Sequence, residues 1–236
     1  MSRNSSSRLG LDSKKQNPVD DAASIPEFSF ISPTELVELP SRGELYPDSH
    51  PLHNKESLEI RFMTAKEEDI LLNESYIKSG VVIDKLIHSL LVDKSIQVNS
   101  LLIGDKSALI VAARISGYGH DYNTKVACPK CSEKVEYSFD LNTAKVYHGD
   151  DYDEKEVQKT ESGTFIINTP LSKVKVEIRP MNGADEKYMA DMLRRKKKSK
   201  IASKLITQQL KRTIVAVNDY DHPHYIDTFI DAVPAR

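Results

Sequence analysis

Cys128 and Cys131 lie in the motif Cys-Pro-Lys-Cys and are the only cysteines in the sequence of 236 residues. Two thiolates with this spacing at a tight turn can bind one Zn²⁺, but a structural zinc site has four ligands. His120 lies eight residues before the motif and His148 lies 17 residues after it. Neither belongs to the histidine pair that is typical of such sites. Cys128 and Cys131 are therefore candidate metal ligands of an incomplete site, and no cofactor other than zinc is expected.

Three interpretations of the cysteine motif stay open. The first is a complete zinc site within one chain, and the second is a half-site that has lost its metal or is completed by another chain. The third is a reduced turn with a structural role. A thioredoxin-like redox pair is disfavoured, because such a pair opens a helix after a strand, whereas here alternating strand patterns flank the motif.

A run of cationic residues is the second candidate for chemistry. Six of the seven residues from 194 to 200 are basic, among them Arg194, Arg195, Lys196, Lys197 and Lys198. Such a run could contact phosphates, but no aromatic residue stands between the charges to stack on bases. The acidic residues at 150–156 could also neutralise it. A helix end that is solvated, or bound to an acidic partner, is therefore favoured over a nucleic-acid-binding patch.

Motifs typical of enzymes are absent from the sequence. It contains no GxGxxG phosphate loop, no GxSxG nucleophile motif and no HExxH metal motif. The acidic residues at 150–156 lack the regular spacing and the closing glutamate of a calcium loop. We therefore expect a protein that is not an enzyme.

Composition narrows the class of protein further. The 33 basic residues nearly cancel the 35 acidic ones, and the net charge of −2 argues against a surface devoted to nucleic acid. No apolar run approaches the ~20 residues that cross a bilayer, and the N-terminus lacks the apolar centre of a secretory signal. The composition predicts a soluble intracellular protein without a membrane partner.

Hydrophobic periodicity predicts an α+β fold. A helical N-terminal half is followed by a β hairpin with the cysteine motif at its tip, a second short strand pair and C-terminal helices. The predicted segments are a disordered tail (1–27), an extended proline-rich segment (28–57), a helical core with the hairpin (58–147), an acidic connection (148–162), and the strand pair with the C-terminal helices (163–236). Phe28, Phe30 and Ile31 are candidate partner-binding residues, because aromatic residues often dominate the energy of an interface.

Local signals place several element ends. Thr64 and Glu67 have the spacing of a capping box, and the helix that they open is expected to end near Gly80. Asp105 is predicted to cap the most apolar helix, which is predicted to stop at Gly117. The run 214–217 is apolar and is consistent with either a strand or a helix.

Four ordered segments resemble the baseplate proteins of T-even-like contractile-tailed bacteriophages. They are LPSRGELYP, LEIRFMTAKEEDIL, LLIGDKSALIVAARISGYGHDY, and KVACPKC followed by VEYSFDL. The resemblance covers residues 35–141 well and continues more loosely through RPMNGADE to the C-terminus. Some members of the family have a further cysteine pair near the C-terminus, and this sequence does not.

The resemblance implies a non-enzymatic subunit or assembly factor of the baseplate hub, with other hub proteins and tape-measure proteins as partners. It also implies assembly in the host cytoplasm and a place in the virion tail baseplate. The alternative is a nucleic-acid-binding module that combines the cationic run 194–200 with a degenerate zinc-ribbon-like hairpin. The oligomeric state, and the choice between a permanent component and a transient factor, stay open.

Overall fold

A computed structural model describes residues 32–149, 151–153, 155–198 and 205–234, with the backbone alone for 195–198. Every element below belongs to one of the two units into which the chain divides, Ser32–Arg236. The other unit, Met1–Ile31, lies outside the described residues, and so do the candidate partner-binding residues Phe28, Phe30 and Ile31.

The described residues form a mixed α+β fold, as predicted. The helices are α1 (Ala65–Leu72), α2 (Glu74–Ser79), α3 (Val82–Leu90), α4 (Ile103–Tyr118), α5 (Gly183–Lys198), α6 (Leu205–Thr213) and α7 (Pro223–Ala232). The strands are β1 (Thr34–Glu38), β2 (Ser57–Arg61), β3 (Asp121–Ala127), β4 (Lys134–Asp140), β5 (Val157–Lys159), β6 (Phe165–Asn168), β7 (Lys175–Ile178) and β8 (Ile214–Val217). None of the helices in these residues is long and apolar enough to cross a membrane.

The N-terminal half has its own hydrophobic core. Strands β1 and β2 pair in antiparallel fashion, with Val37 opposite Leu58, and both side chains are buried. Leucines and isoleucines of α3, α4 and the loop 39–56 pack against this face, including the fully buried Leu39, Leu52 and Leu90. The apolar residues that alternate along the strands and those that recur every 3.6 residues along the helices thus lie in one hydrophobic core.

The helix that begins after Thr64 is shorter than predicted. Asn73 ends α1, and its side-chain oxygen accepts a hydrogen bond from the Tyr76 amide at 3.1 Å, so that α2 begins at once. Gly80, with φ of 69°, then ends α2. The prediction of one helix to Gly80 was wrong because the asparagine caps a new helix inside the same stretch.

Both predicted ends of α4 were wrong by a few residues. The residue that precedes the helix is Leu102, and Asp105 lies within the first turn. The helix ends at Tyr118, where Gly119 has φ of 80°. Gly117 stays helical, and a Cβ there would lie 2.7 Å from the Met63 sulfur, so this glycine permits close packing.

The remaining strands form two further sheets. Strands β3 and β4 make the predicted hairpin, and Cys128 and Cys131 lie in the turn between them. Strands β5, β6, β7 and β8 form a four-stranded antiparallel sheet in sequence order, so the predicted strand pair is the centre of a larger sheet. The ambiguous run 214–217 is strand β8, whose Ile214 and Val217 pack with Ile226 and Ile230 of α7.

Candidate functional site

A buried carboxylate joins two of the segments that carry the family resemblance. Asp105 is fully buried at the start of α4. Its oxygens accept hydrogen bonds from the Ser41 amide (3.0 Å), the Ser41 hydroxyl (2.7 Å) and the Tyr46 hydroxyl (2.7 Å). The loop 39–56 is therefore fixed to the first turn of α4.

Tyr46 extends this network. Its hydroxyl oxygen accepts a hydrogen bond from the Leu102 amide at 3.0 Å, and its ring stacks on His50 with centroids 4.3 Å apart. Burial and then the negative charge of Asp105 raise the pKa of Tyr46 far above its ordinary value. The phenol therefore stays protonated and donates its hydrogen bond at every physiological pH.

Glu67 plays the same part in α1. Its carboxylate is fully buried and accepts hydrogen bonds from the Thr64 amide (3.0 Å), the Thr64 hydroxyl (2.5 Å) and the Ser89 hydroxyl (2.6 Å). Arg61 lies 3.7 Å away. Burial alone would raise the pKa of Glu67, but these donors together lower it below its ordinary value. The predicted capping box is confirmed, and it also connects α1 to α3.

Asp185 is the third buried carboxylate, and it lies in the RPMNGADE segment. Arg179 donates two hydrogen bonds to it, at 2.8 and 2.9 Å, and the Asn182 amide donates a third at 3.1 Å. The Arg212 guanidinium lies 3.2 Å away and stacks over the Tyr188 ring. Burial would raise the pKa of Asp185, but the Arg179 hydrogen bonds, the Asn182 amide and the nearby positive charges lower it.

These three carboxylates are suited to holding elements together. A general acid or base works best with a pKa near the operating pH, whereas the pKa values of Glu67 and Asp185 are lowered away from neutrality. The oxygens of all three accept hydrogen bonds from neighbouring segments of the chain. The three carboxylates therefore act as hydrogen-bond acceptors that hold loops and helix starts in place.

We predict that the contribution of Glu67 to stability is lost on acidification. Because its pKa in the folded protein lies below the ordinary value of 4.5, its stabilising effect is present above that value and disappears as pH falls through the lower one. Glu67→Gln should therefore be less stable than the wild type at pH 7, and the gap should narrow as the pH falls below 4.5. Urea unfolding between pH 3 and 7 measures this, with Glu136→Gln, an exposed carboxylate on β4, as the control.

The β3–β4 hairpin is the other unusual feature. Its register pairs Tyr122 with Phe139, Thr124 with Tyr137 and Val126 with Val135, so one face carries three aromatic and two valine side chains. We name this set, Tyr122, Thr124, Val126, Val135, Tyr137 and Phe139, the apolar hairpin face. Val135 and Tyr137 keep more than half of their surface exposed. A two-stranded hairpin with an uncovered apolar face is marginally stable alone, which makes this face a candidate interface.

The cysteines form a compact turn at the hairpin tip. The Cys128 amide donates to the Glu133 carbonyl, and the Ser132 amide donates to the Cys128 carbonyl, both at 2.8 Å. The backbone amides of Cys131 and Lys130, followed by the Cys131 thiol, lower the pKa of the Cys128 thiol. Among the described residues, no group of three or more His, Cys, Asp or Glu side chains could hold a metal ion.

Comparison with known proteins now identifies the relationship. A family model described as T4 bacteriophage base plate protein matches residues 34–231, from β1 into α7. The chain belongs to this family of phage baseplate proteins. The resemblance inferred from the four sequence segments is thereby confirmed. No curated protein and no solved structure matches the chain.

In this baseplate protein, residues 194–198 of the cationic run form the end of α5. Arg194 donates a hydrogen bond to the Ser79 carbonyl at the end of α2 and lies 3.7 Å from Asp191. The side chains of Arg195, Lys196, Lys197 and Lys198 lie outside the described residues. Partner binding by this run stays a prediction, and Arg194 has an additional contact that the sequence did not reveal.

A cleft of about 190 Å³ lies beside Arg194, between α3, α4 and α5. Its polar centre is Lys106, which is nearly buried and lies 2.7 Å from both Asp84 and Glu186. Burial alone would lower the pKa of Lys106, but the hydrogen bonds and charges of these two carboxylates raise it. The ammonium group is thus engaged within the baseplate protein, where it joins three helices.

Sequence reasoning did not find the buried carboxylates as a group. The partner segments of Asp105 are 64 residues away along the chain, and those of Glu67 include Ser89, 22 residues away. In the sequence, the short polar motifs Thr64–Glu67 and Asn182–Asp185 are typical of helix starts, and they indicate the local hydrogen bonds of Glu67 and Asp185. The long-range partners required the tertiary structure.

Proposed function

We propose that the chain is a non-enzymatic component of the baseplate hub, either a hub subunit or a factor that assembles the hub. The family match over residues 34–231 carries this proposal, since it places the chain among phage baseplate proteins. Other hub proteins and tape-measure proteins are the proposed partners. Assembly takes place in the host cytoplasm, and a hub subunit then stays in the virion tail.

Two features of the molecule support action through protein contacts. The buried carboxylates Asp105, Glu67 and Asp185 are hydrogen-bonded within the chain. The apolar hairpin face, in contrast, is exposed on the two-stranded β3–β4 hairpin. Exposed apolar surface of this kind is typical of protein–protein interfaces.

The nucleic-acid-binding alternative gains no support from the described residues. Arg194 is the member of the cationic run whose side chain is described, and it contacts Ser79 and Asp191 of the same chain. We therefore propose the hub function alone.

Affinity purification from infected cells tests the proposal. A tagged chain should recover other baseplate hub proteins in fixed ratio. Mass spectrometry of purified virions then separates the two forms of the hypothesis, because only a permanent subunit persists in the tail. Recovery of the chain alone throughout infection, together with normal tails in its absence, would count against both forms.

A further inference from the structure

The turn at the hairpin tip has the local geometry of half a zinc site. The Ser132 amide donates to the Cys128 carbonyl and the Cys128 amide donates to the Glu133 carbonyl, both at 2.8 Å, so Cys128 and Cys131 lie in one closed turn. Ser132 follows with φ of 60°, which turns the chain back into β4. Two cysteines with this spacing in one tight turn can bind the same Zn²⁺.

The rest of the described chain does not complete the site. His120 precedes β3, so seven extended residues, roughly 20 Å, separate it from the tip. His148 is engaged elsewhere, with its ring nitrogens 3.1 Å from the Pro40 carbonyl and 3.0 Å from Glu38. Two thiolates leave half of a tetrahedral zinc site without protein ligands. The sequence holds no further cysteine, so further thiolates must come from outside this chain.

The apolar hairpin face indicates which molecule supplies the two missing zinc ligands. Tyr122, Thr124 and Val126 alternate along β3, and Cys128 continues that alternation beyond the strand. A twofold axis parallel to the strands places two apolar hairpin faces against each other and brings both tips to the same end. The same arrangement covers exposed tyrosine, phenylalanine and valine side chains and gathers four cysteines.

We propose that Cys128 and Cys131 bind one Zn²⁺ together with the same two cysteines of a second copy of this chain, and that the two hairpins pack through their apolar hairpin faces. Each thiol that is protonated releases its proton when zinc binds, so acid opposes the assembly. The arrangement is isologous, since each chain supplies the same pair of ligands and the same face.

The test uses the full chain, purified with reductant and zinc sulfate. We expect about one zinc for two chains by metal analysis and a dimeric mass by light scattering, with conversion to monomer on addition of a chelator. Cys128→Ser combined with Cys131→Ser should abolish both zinc binding and dimerisation. Lys130→Ala changes the tip without removing a ligand and should leave both intact.

A second pair of variants tests the apolar hairpin face separately from the metal. Tyr137→Ser should weaken the zinc-dependent dimer by about tenfold or more, whereas Glu136→Ser, on the opposite face of β4, should have little effect. Circular dichroism verifies that each variant is folded, which is expected because these residues are exposed. A monomer with zinc bound one to one, a monomer without zinc, or a dimer that survives the double serine substitution would each overturn the proposal.

Discussion

Asp105→Ala is expected to lower the free energy of unfolding by about 3–5 kcal/mol. The substitution removes a fully buried carboxylate that accepts from the Ser41 amide, the Ser41 hydroxyl and the Tyr46 hydroxyl. The buried Tyr46 hydroxyl is then left without its acceptor, and the half-buried Ser41 amide and hydroxyl lose theirs. An unsatisfied buried donor carries a full desolvation cost. The negative charge is also lost from the first turn of α4, where it is favourable.

Urea unfolding at neutral pH measures the effect. Asp121→Ala is a matched control, because Asp121 has a side chain that is 71% exposed at the start of β3, and its loss should change stability by no more than about 0.5 kcal/mol. If Asp105→Ala does not fold, Asp105→Asn provides a milder form, since the amide keeps one acceptor oxygen but turns an NH₂ group toward the donors. Equal effects of the two alanine substitutions would show that the Asp105 network does not hold the loop.

A double-mutant cycle isolates the contact with Tyr46. Tyr46→Phe removes the hydroxyl that donates to Asp105 and accepts from the Leu102 amide. Since both residues belong to one network, the double variant should be less destabilised than the sum of the two single variants by about 1–3 kcal/mol. Additive effects would mean that the two residues act independently of each other.

In this chain, variants of the Asp105 network and of the apolar hairpin face separate an effect on folding from an effect on docking. Asp105 is buried, so its replacement should reduce the amount of folded chain without changing the apolar hairpin face. Substitutions at Tyr137 should instead change the apolar hairpin face and leave the amount of folded chain unchanged, because that side chain is exposed. Loss of baseplate assembly with normal stability would therefore point to the hairpin, and loss with low stability to the buried carboxylates.

The sequence predicted those elements whose signals are local. The alternation around the cysteine motif identified the hairpin, and 3.6-residue periodicity identified α3 and α7. Strand β8 stayed ambiguous because a short apolar run suits either a strand or a helix. Pairing with β7 and packing against α7 make this run a strand, and both are tertiary contacts.

Asp105 illustrates why the buried site was missed. An aspartate before an apolar run is typical of a helix cap, and the prediction placed it there. In the structure the helix has already begun at Ile103, and Asp105 turns toward Ser41 and Tyr46. No local pattern reports a partner some 60 residues away. The exposure of the hairpin also requires the tertiary structure, because alternation normally indicates a strand with one buried face and here both faces are largely exposed.

Gly43→Ala is expected to be as damaging as the loss of Asp105. Gly43 has φ of 74°, and a Cβ there would lie 2.3 Å from the Lys55 nitrogen and 2.5 Å from the Leu52 carbonyl oxygen. These are backbone atoms, so the clash is relieved only by moving the loop. Gly149→Ala is the matched control, because Gly149 has a similar φ of 77° but a Cβ there would have nothing within 4 Å.

The difference between the two glycine variants measures the steric clash alone. The left-handed conformation should cost each variant about 1–2 kcal/mol, and close contact should cost Gly43→Ala about 2–3 kcal/mol more. The same loop carries Ser41 and Tyr46 to Asp105, so its displacement should also weaken that network. Gly43→Ala and Asp105→Ala should then be markedly non-additive in urea unfolding. Equal stability of the two glycine variants would mean that the loop moves freely, and the buried carboxylate could not then be what fixes it to α4.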